Sequence, residues 1–353
     1  MPIRFVQAAA IATALLFAGA IESQAQQKLR IVNNGGALGD AERGAFYTPF
    51  AKAAGIEVVE DNFNQELAKI RTQIDTKNLQ WDVVSVTNIN EATGCEEGLF
   101  EKIDWSKHID PALLAGAGGA LQCGVPYFLV SGGLAYDATK IKDPPKSWAE
   151  FWDSKRWPGK RGLLYRAEQT LEIALIADGV EPSKAMAVLA APGGVDRAFK
   201  KLEEIKPNVH WWKGGAESMQ LLAAGEVSLI YAWNGRVAAA NIADKRDFKM
   251  VFEAGHVSGI QYYAIMKGSP RLKEAIEFVK FALSAPAQAE MTRLINYAPA
   301  NSQATSLVSE VAKKTLPPPD PKYVSLQGGK LYIDFWLQNG DTLLQRFIKF
   351  AAQ

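Results

Sequence analysis

Histidine and cysteine are scarce in this sequence. Its 353 residues hold three histidines, His108, His210 and His256, and two cysteines, Cys95 and Cys123. So scattered, they match no metal-ligand spacing, and no metal site is expected. An excess of one charge is missing too: 39 Lys+Arg against 38 Asp+Glu leave a net charge of +1. No field of that size draws nucleic acid or an acidic membrane, so neither is an expected partner. The G-x-S-x-G, H-E-x-x-H, P-loop and G-x-G-x-x-G signatures are absent. The glycine-rich "NNGGALG" (33–39) does not match a phosphate fingerprint, and no nucleophile accompanies His108 or His210. The expectation is a protein that is not an enzyme and carries no cofactor.

Long apolar runs are confined to the N-terminus. Arg4 precedes an apolar stretch of 14 residues, Ala8 to Ile21. A bilayer span needs about 20; this length fits the core of a signal peptide. Ser23-Gln24-Ala25 supplies small residues at the −3 and −1 positions, so residues 1–25 read as a signal peptide cleaved after Ala25. No cysteine stands at the cleavage site, which argues against a lipid anchor. The expected location is the periplasm. In an exported chain, Cys95 and Cys123 read as a disulfide or as two buried thiols, and export favours the bridge. It would close a loop of about 29 residues, worth roughly 3–4 kcal/mol.

What is present is a repeated strand–helix grammar. Strands are expected at 29–32, 56–60 and 81–86, with helices between them. A second series follows: strands at 162–165, 208–212, 226–233 and 248–252, with helices at 170–177 and 217–224 and from Arg236 onward. Such alternation indicates parallel α/β domains, and the mature chain exceeds the roughly 250–300 residues beyond which cores divide. Two apolar segments, Val125–Ala135 and Ile260–Met266, read as strands crossing between the domains; Gly132-Gly133 lies within the first. Glycine fits where a backbone bends or is closely approached. The expected layout is lobe 1 at 26–131 plus 257–305, lobe 2 at 132–256, and a C-terminal connector and helix at 306–353 packing on the body. Strand-end loops then face one another across a cleft, where ligands bind, and a two-crossing hinge lets the cleft close.

The chain resembles the periplasmic solute-binding proteins of ABC importers, in the group related to polyamine-binding proteins. The resemblance runs through "WDVVSV" (81–86), "CEEGLFEKIDWSK" (95–107), "WAEFWDSKRWPGKRGL" (148–163), "TLEIALIADGV" (170–180), "GVDRAFKKLEEIKP" (194–207), "GEVSLIYAWNGR" (225–236) and "YAPANSQA" (297–304). It covers nearly the whole mature chain. It implies a type II periplasmic-binding-protein fold, a monomeric receptor delivering solute to a membrane permease and ATPase, and pairing of Cys95 with Cys123. In such relatives the stretch like Trp233-Asn234-Gly235 lines the cleft, which makes Trp233 the first candidate wall: an indole holds an alkyl chain and attracts an ammonium. Asn234 either bonds ligand or only supplies the turn.

Arg236 is unusual for a polyamine receptor, because a guanidinium repels ammonium groups and forks onto a carboxylate. It also stands where a helix starts, an end that favours anions. Local alignment puts Gln261, in "GIQYYAIMKGS" (259–269), where polyamine-binding relatives commonly carry an Asp. A lost anion and a gained cation favour a ligand with a carboxylate, such as the ω-amino acid γ-aminobutyrate. For the amine end the candidates are Glu168, Tyr262 and one of Trp211 and Trp212, of which Trp212 is carried as the site residue. Gly36, in the Asn34–Ala37 loop, and Thr87 stand at strand ends suited to a carboxylate. Tyr127, on the first crossing strand, walls the pocket or packs in the core. The alternative is a ferric-ion or other small-anion receptor of the same fold, prompted by Tyr262-Tyr263, though neighbours in a strand point opposite ways.

Overall fold

The computed structural model describes residues 28–352 apart from 64, 314 and 319. The signal peptide and its cleavage after Ala25 lie outside the described residues. The described residues form eleven strands: β1 (Lys28–Asn33), β2 (Glu57–Asn62), β3 (Val83–Thr87), β4 (Gly124–Asp137), β5 (Arg161–Leu164), β6 (Val209–Trp212), β7 (Leu229–Trp233), β8 (Phe248–Val251), β9 (His256–Ile265), β10 (Ala298–Pro299) and β11 (Val324–Gln327). The main order is β2-β1-β3-β9-β4-β7-β5-β6. Pairing is parallel among β2, β1 and β3, and again among β7, β5 and β6. Between these halves, β9 and β4 pair antiparallel with each other and with their outer neighbours. Parallel strands need helical crossovers, so each half carries its own helices.

Two α/β lobes result, joined by β4 and β9. Tyr127 and Phe128 at the start of β4 lie in one core with Leu29, Phe46 and Phe278. Leu134 and Ala135, a few residues on, lie in another with Trp148, Leu163 and Tyr231. Likewise β9 contributes Val257 to the second core and Tyr263 and Ile265 to the first. β9 is therefore buried throughout and β4 along most of its length, and each reads as a long apolar run. Gly132 shows why a glycine interrupts β4: a Cβ there would fall 1.9 Å from the Tyr231 hydroxyl oxygen. A disulfide joins Cys95 to Cys123, on the first lobe's second face beside Val86, Phe100 and Tyr262.

The C-terminal segment does more than the expected connector and helix. Before the helix Gly329–Ala352, strand β11 pairs parallel with β9, Gln327 opposite Gly259. The helix then buries Tyr332, Trp336, Leu343, Phe347 and Phe350 in the second core. Its aromatic residues drew attention to the helix; a four-residue strand among prolines carried too short a pattern to be recognised.

Candidate functional site

At the junction between β7 and the helix Asn234–Ala243 the second lobe reaches the first. Trp233 is the residue before that helix, and Arg236 is in its first turn. The Arg236 guanidinium lies between two glycines. A Cβ at Gly36 would sit 3.0 Å from its Nη1, and a Cβ at Gly215 would sit 2.9 Å from its Nε and 3.0 Å from Cε3 of Trp233. Nη2 donates a long hydrogen bond, 3.4 Å, to the carbonyl of Gly35. Nε is shielded from solvent with no partner. Among the described residues no carboxylate lies within ion-pair distance of Arg236. Its other polar neighbour is Tyr297, whose hydroxyl burial pushes up while the Arg236 charge pulls it down. Arg236 is partly exposed, but its shielded Nε–H has no acceptor, which is costly unless a ligand supplies one.

The first-lobe side is built from strand ends. Gly35 and Gly36 have φ of 63° and 58°, a region glycine enters without strain. The Asn33 side chain fixes the turn by accepting from the Gly35 amide at 2.7 Å. Gln65 then stitches neighbouring loops: its Nε2 donates to Asn34 Oδ1 (2.8 Å) and to the Ser85 carbonyl (2.9 Å), and its Oε1 accepts from the Thr87 amide (3.0 Å). Thr87 also caps the helix Asn88–Glu96, its Oγ1 accepting from the Asn90 amide. Gln261 on β9 lies opposite Thr87 and Phe128, and its Oε1 accepts from Ser85 Oγ at 3.4 Å.

On the second-lobe side, Trp233 stands edge-on to Trp212, with ring centroids 5.1 Å apart. Its Nε1 donates to Oε1 of Gln169 at 3.2 Å. Gln169 has φ of 69° inside a kinked helix start, a conformation that costs a non-glycine residue about 1–3 kcal/mol. Glu168, beside it, is half-buried; burial pushes its carboxyl up and Arg166, 3.9 Å away, draws it down. A cavity of about 650 Å³ opens here, lined by Gln65, Thr87 and Asn90 from the first lobe, Arg166 and Glu168 from the second, and Trp336 of the C-terminal helix.

The sequence candidates therefore divide. Arg236, Gly36 and Trp233 meet at one junction, and Thr87 and Glu168 line a cavity that none of those three lines. Gln261 bonds Ser85 on the first-lobe side, and the other four are engaged elsewhere. Asn234 is buried with both amide atoms committed: Oδ1 accepts from the Ser131 amide (3.0 Å) and Nδ2 donates to the Asn296 carbonyl (2.7 Å). It ties β4 to the lobe junction, a role neither sequence reading included. Trp212 is fully buried in the second core, and Trp211 packs on Phe347 of the C-terminal helix at 5.3 Å. Tyr127 is buried against Tyr263, rings stacked at 3.8 Å, and donates to Glu42. Tyr262 lies in the core beside the disulfide. Tyr262 and Tyr263 are thus sent to different cores, as strand alternation requires, and do not form a paired phenolate site. Gln65, Gln169 and Ser85 were not identified from the sequence: single polar residues outside any motif leave no periodic signal.

A hinged pair of α/β lobes with a cationic junction between their strand ends defines the class of solute receptors. The chain belongs to the bacterial extracellular solute-binding protein family, which residues 45–318 match. It is 38% identical over 341 residues to the gamma-aminobutyric acid-binding protein of Pseudomonas aeruginosa, covering 96% of this chain and 95% of that protein. Among solved structures, a GABA receptor superposes with a TM-score of 0.80 at 31% identity, covering 93% of this chain and 98% of that one. An ABC transporter substrate-binding protein from Bradyrhizobium japonicum superposes at 0.82 with 34% identity, covering 92% and 99%.

Proposed function

We propose that the protein is the periplasmic receptor of an ABC importer for a small ω-amino acid, with γ-aminobutyrate as the leading candidate. In this reading residues 26–131 and 257–305 form one lobe and 132–256 the other. They close on the solute, and the monomeric receptor hands it to a membrane permease and its ATPase. The observation that carries the reading is Arg236: a guanidinium between Gly36 and Gly215, its Nε shielded and unpartnered. A carboxylate completes that group by a bidentate bond, and the Trp233 ring walls the ligand's methylenes. Glu168 accepts the ammonium. The named ligands of the P. aeruginosa relative and of the GABA receptor agree with this chemistry.

Calorimetry with γ-aminobutyrate, putrescine and spermidine tests the proposal. Wild-type protein is expected to bind γ-aminobutyrate and to show little affinity for the diamine. Arg236→Ala should weaken binding by about 2–4 kcal/mol, roughly 30- to 1,000-fold. Arg236→Lys should recover only part of that, since an ammonium cannot fork onto a carboxylate. Tight putrescine binding that survives Arg236→Ala would overturn the carboxylate clamp.

A further inference from the structure

Trp233 owes its orientation to a residue on the C-terminal strand. Its indole Nε1 and the Tyr231 hydroxyl both donate to Oε1 of Gln169, at 3.2 and 2.8 Å. An amide oxygen and an amide nitrogen are nearly the same size, so something must decide which end of Gln169 faces the indole. Gln169 Nε2 donates to Oε1 of Gln327 at 3.1 Å. Gln327 in turn donates through its Nε2 to Oε2 of Glu172, also at 3.1 Å. Glu172 is buried, and its Oε2 also accepts from the Gln169 backbone amide at 3.2 Å, while Oε1 accepts from Ser325 Oγ at 2.7 Å.

Gln169, Gln327 and Glu172 close a ring through the Gln169 backbone amide, and its polarity has one consistent setting. Glu172 Oε2 already accepts from that backbone N–H, so any proton on Glu172 sits on Oε1, and Gln327 presents its nitrogen to Oε2 and its oxygen to Gln169. Gln169 must then present nitrogen to Gln327 and oxygen to Trp233 and Tyr231. Gln327 is also anchored to the other lobe, where Asn88 Nδ2 donates to its carbonyl at 2.5 Å. Gly259 leaves it space: a Cβ there would lie 3.0 Å from Gln327 Oε1. We propose that Gln327 is a positioning residue of the binding site, which reads the polarity of Glu172 and transmits it through Gln169 to the Trp233 indole. The placement of Trp233 as a ligand wall rests on the function proposed above; the ring and its effect on the indole do not.

The test exchanges the two groups. Gln327→Glu sets two carboxylates together, and Gln327→Met keeps the volume but removes both polar atoms. The double variant Glu172→Gln/Gln327→Glu keeps the side-chain order, because the new carboxylate accepts from both glutamines, while the Gln169 backbone amide loses its acceptor on residue 172. The primary readout needs no ligand: the indole N–H resonance of Trp233, assigned by its loss in Trp233→Phe, and its hydrogen-exchange rate. Wild type should show one shift and slow exchange, and the exchanged double variant should lie nearer to it than Gln327→Met. Gln327→Glu and Gln327→Met should shift the resonance and expose it. Calorimetry with γ-aminobutyrate should show about a tenfold rise in Kd for Gln327→Met, with recovery in the double variant. If wild type fails to bind γ-aminobutyrate, the function proposed above falls, and the resonance still decides the ring. An unmoved Trp233 resonance in folded Gln327→Met overturns the proposal, and so does a folded double variant whose resonance lies no nearer wild type than that of Gln327→Met.

Discussion

Glu42 and Glu172 are both fully buried carboxyls behind the lobe junction, and burial pushes both up to about 7. They are held in different ways. Glu42 is held by hydroxyls: Tyr47 donates to Oε2 at 2.5 Å, and Tyr127 and Tyr263 donate to Oε1. Two of these phenols pass the interaction on. Tyr47 accepts from Asn33, which fixes the Gly35 turn, and Tyr127 bonds Ser85, which reaches Gln261. Glu172 is held by a serine, a side-chain amide and a backbone amide, two of them from β11. A hydroxyl can rotate to give or take a proton, while an amide must turn over completely. The Glu42 cluster can therefore accept a proton on either oxygen. At Glu172, Oε2 faces N–H donors, so a proton belongs on Oε1, where the Ser325 hydroxyl can receive it. The first lobe's support is adaptable, and the second lobe's is directional.

The largest effect that would break this comparison is removal of either carboxyl. Glu42→Ala and Glu172→Ala should each cost about 3–5 kcal/mol in urea unfolding, because buried donors lose their acceptor. Only Glu172→Ala should also speed hydrogen exchange in residues 324–327. Equal exchange in the two variants would remove the distinction.

A smaller effect is the pH dependence of stability. Folded Glu42 and Glu172 hold a proton up to about 7, while an unfolded glutamate releases it near 4.5. The folded state therefore binds more protons between these values. This stability is fully present below about 4.5 and is lost as pH rises through 7, by up to roughly 3 kcal/mol per group. Glu91, raised to about 7 by burial, adds the same sign. His256, held down at about 4 by burial, opposes it between about 4 and 6.5. Denaturation at pH 5 and 8 should show a shallower decline in Glu42→Gln and in Glu172→Gln than in wild type. An unchanged slope in both would mean that neither carboxyl holds its proton in the fold.

The smallest effect sharpens the contrast within the first lobe. Tyr127→Phe removes one of three hydroxyls on Glu42 and should cost about 1 kcal/mol. It should leave the Trp233 indole resonance where it is, since that ring is governed from the second lobe. A moved resonance would show that the two clusters communicate through the hinge.

Much of the architecture was legible in the residues. The apolar runs at 29–32, 81–86 and 226–233 gave strands because burial on both faces demands continuous apolar residues. Gly132 marked a close approach, and Cys95 and Cys123 formed the bridge. The site was legible only in part. That Trp233 and Arg236 stand at a strand end beside a helix start could be read from the local pattern; their roles toward a solute belong to the function proposed above. Tyr127, Tyr262 and Trp212 could not be assigned from their chemistry: an aromatic residue has the same sequence signature whether it walls a pocket or fills a core.

The sequence by itself determined where the strands and helices run, that two α/β lobes share two crossing strands, and that an arginine stands at a strand end beside a helix start. These are local properties, set by the alternation of apolar and polar residues over a few positions. Tertiary structure alone decided that Arg236 has no acidic partner among the described residues, that Asn234 locks the junction, and that Gln327 stands behind Gln169. Hydrogen bonds between single polar side chains more than 150 positions apart, as from Gln327 to Gln169 and Glu172, leave no periodic mark on the chain. Only the folded backbone brings their atoms within 3 Å or so of one another, and only there do direction and polarity acquire meaning.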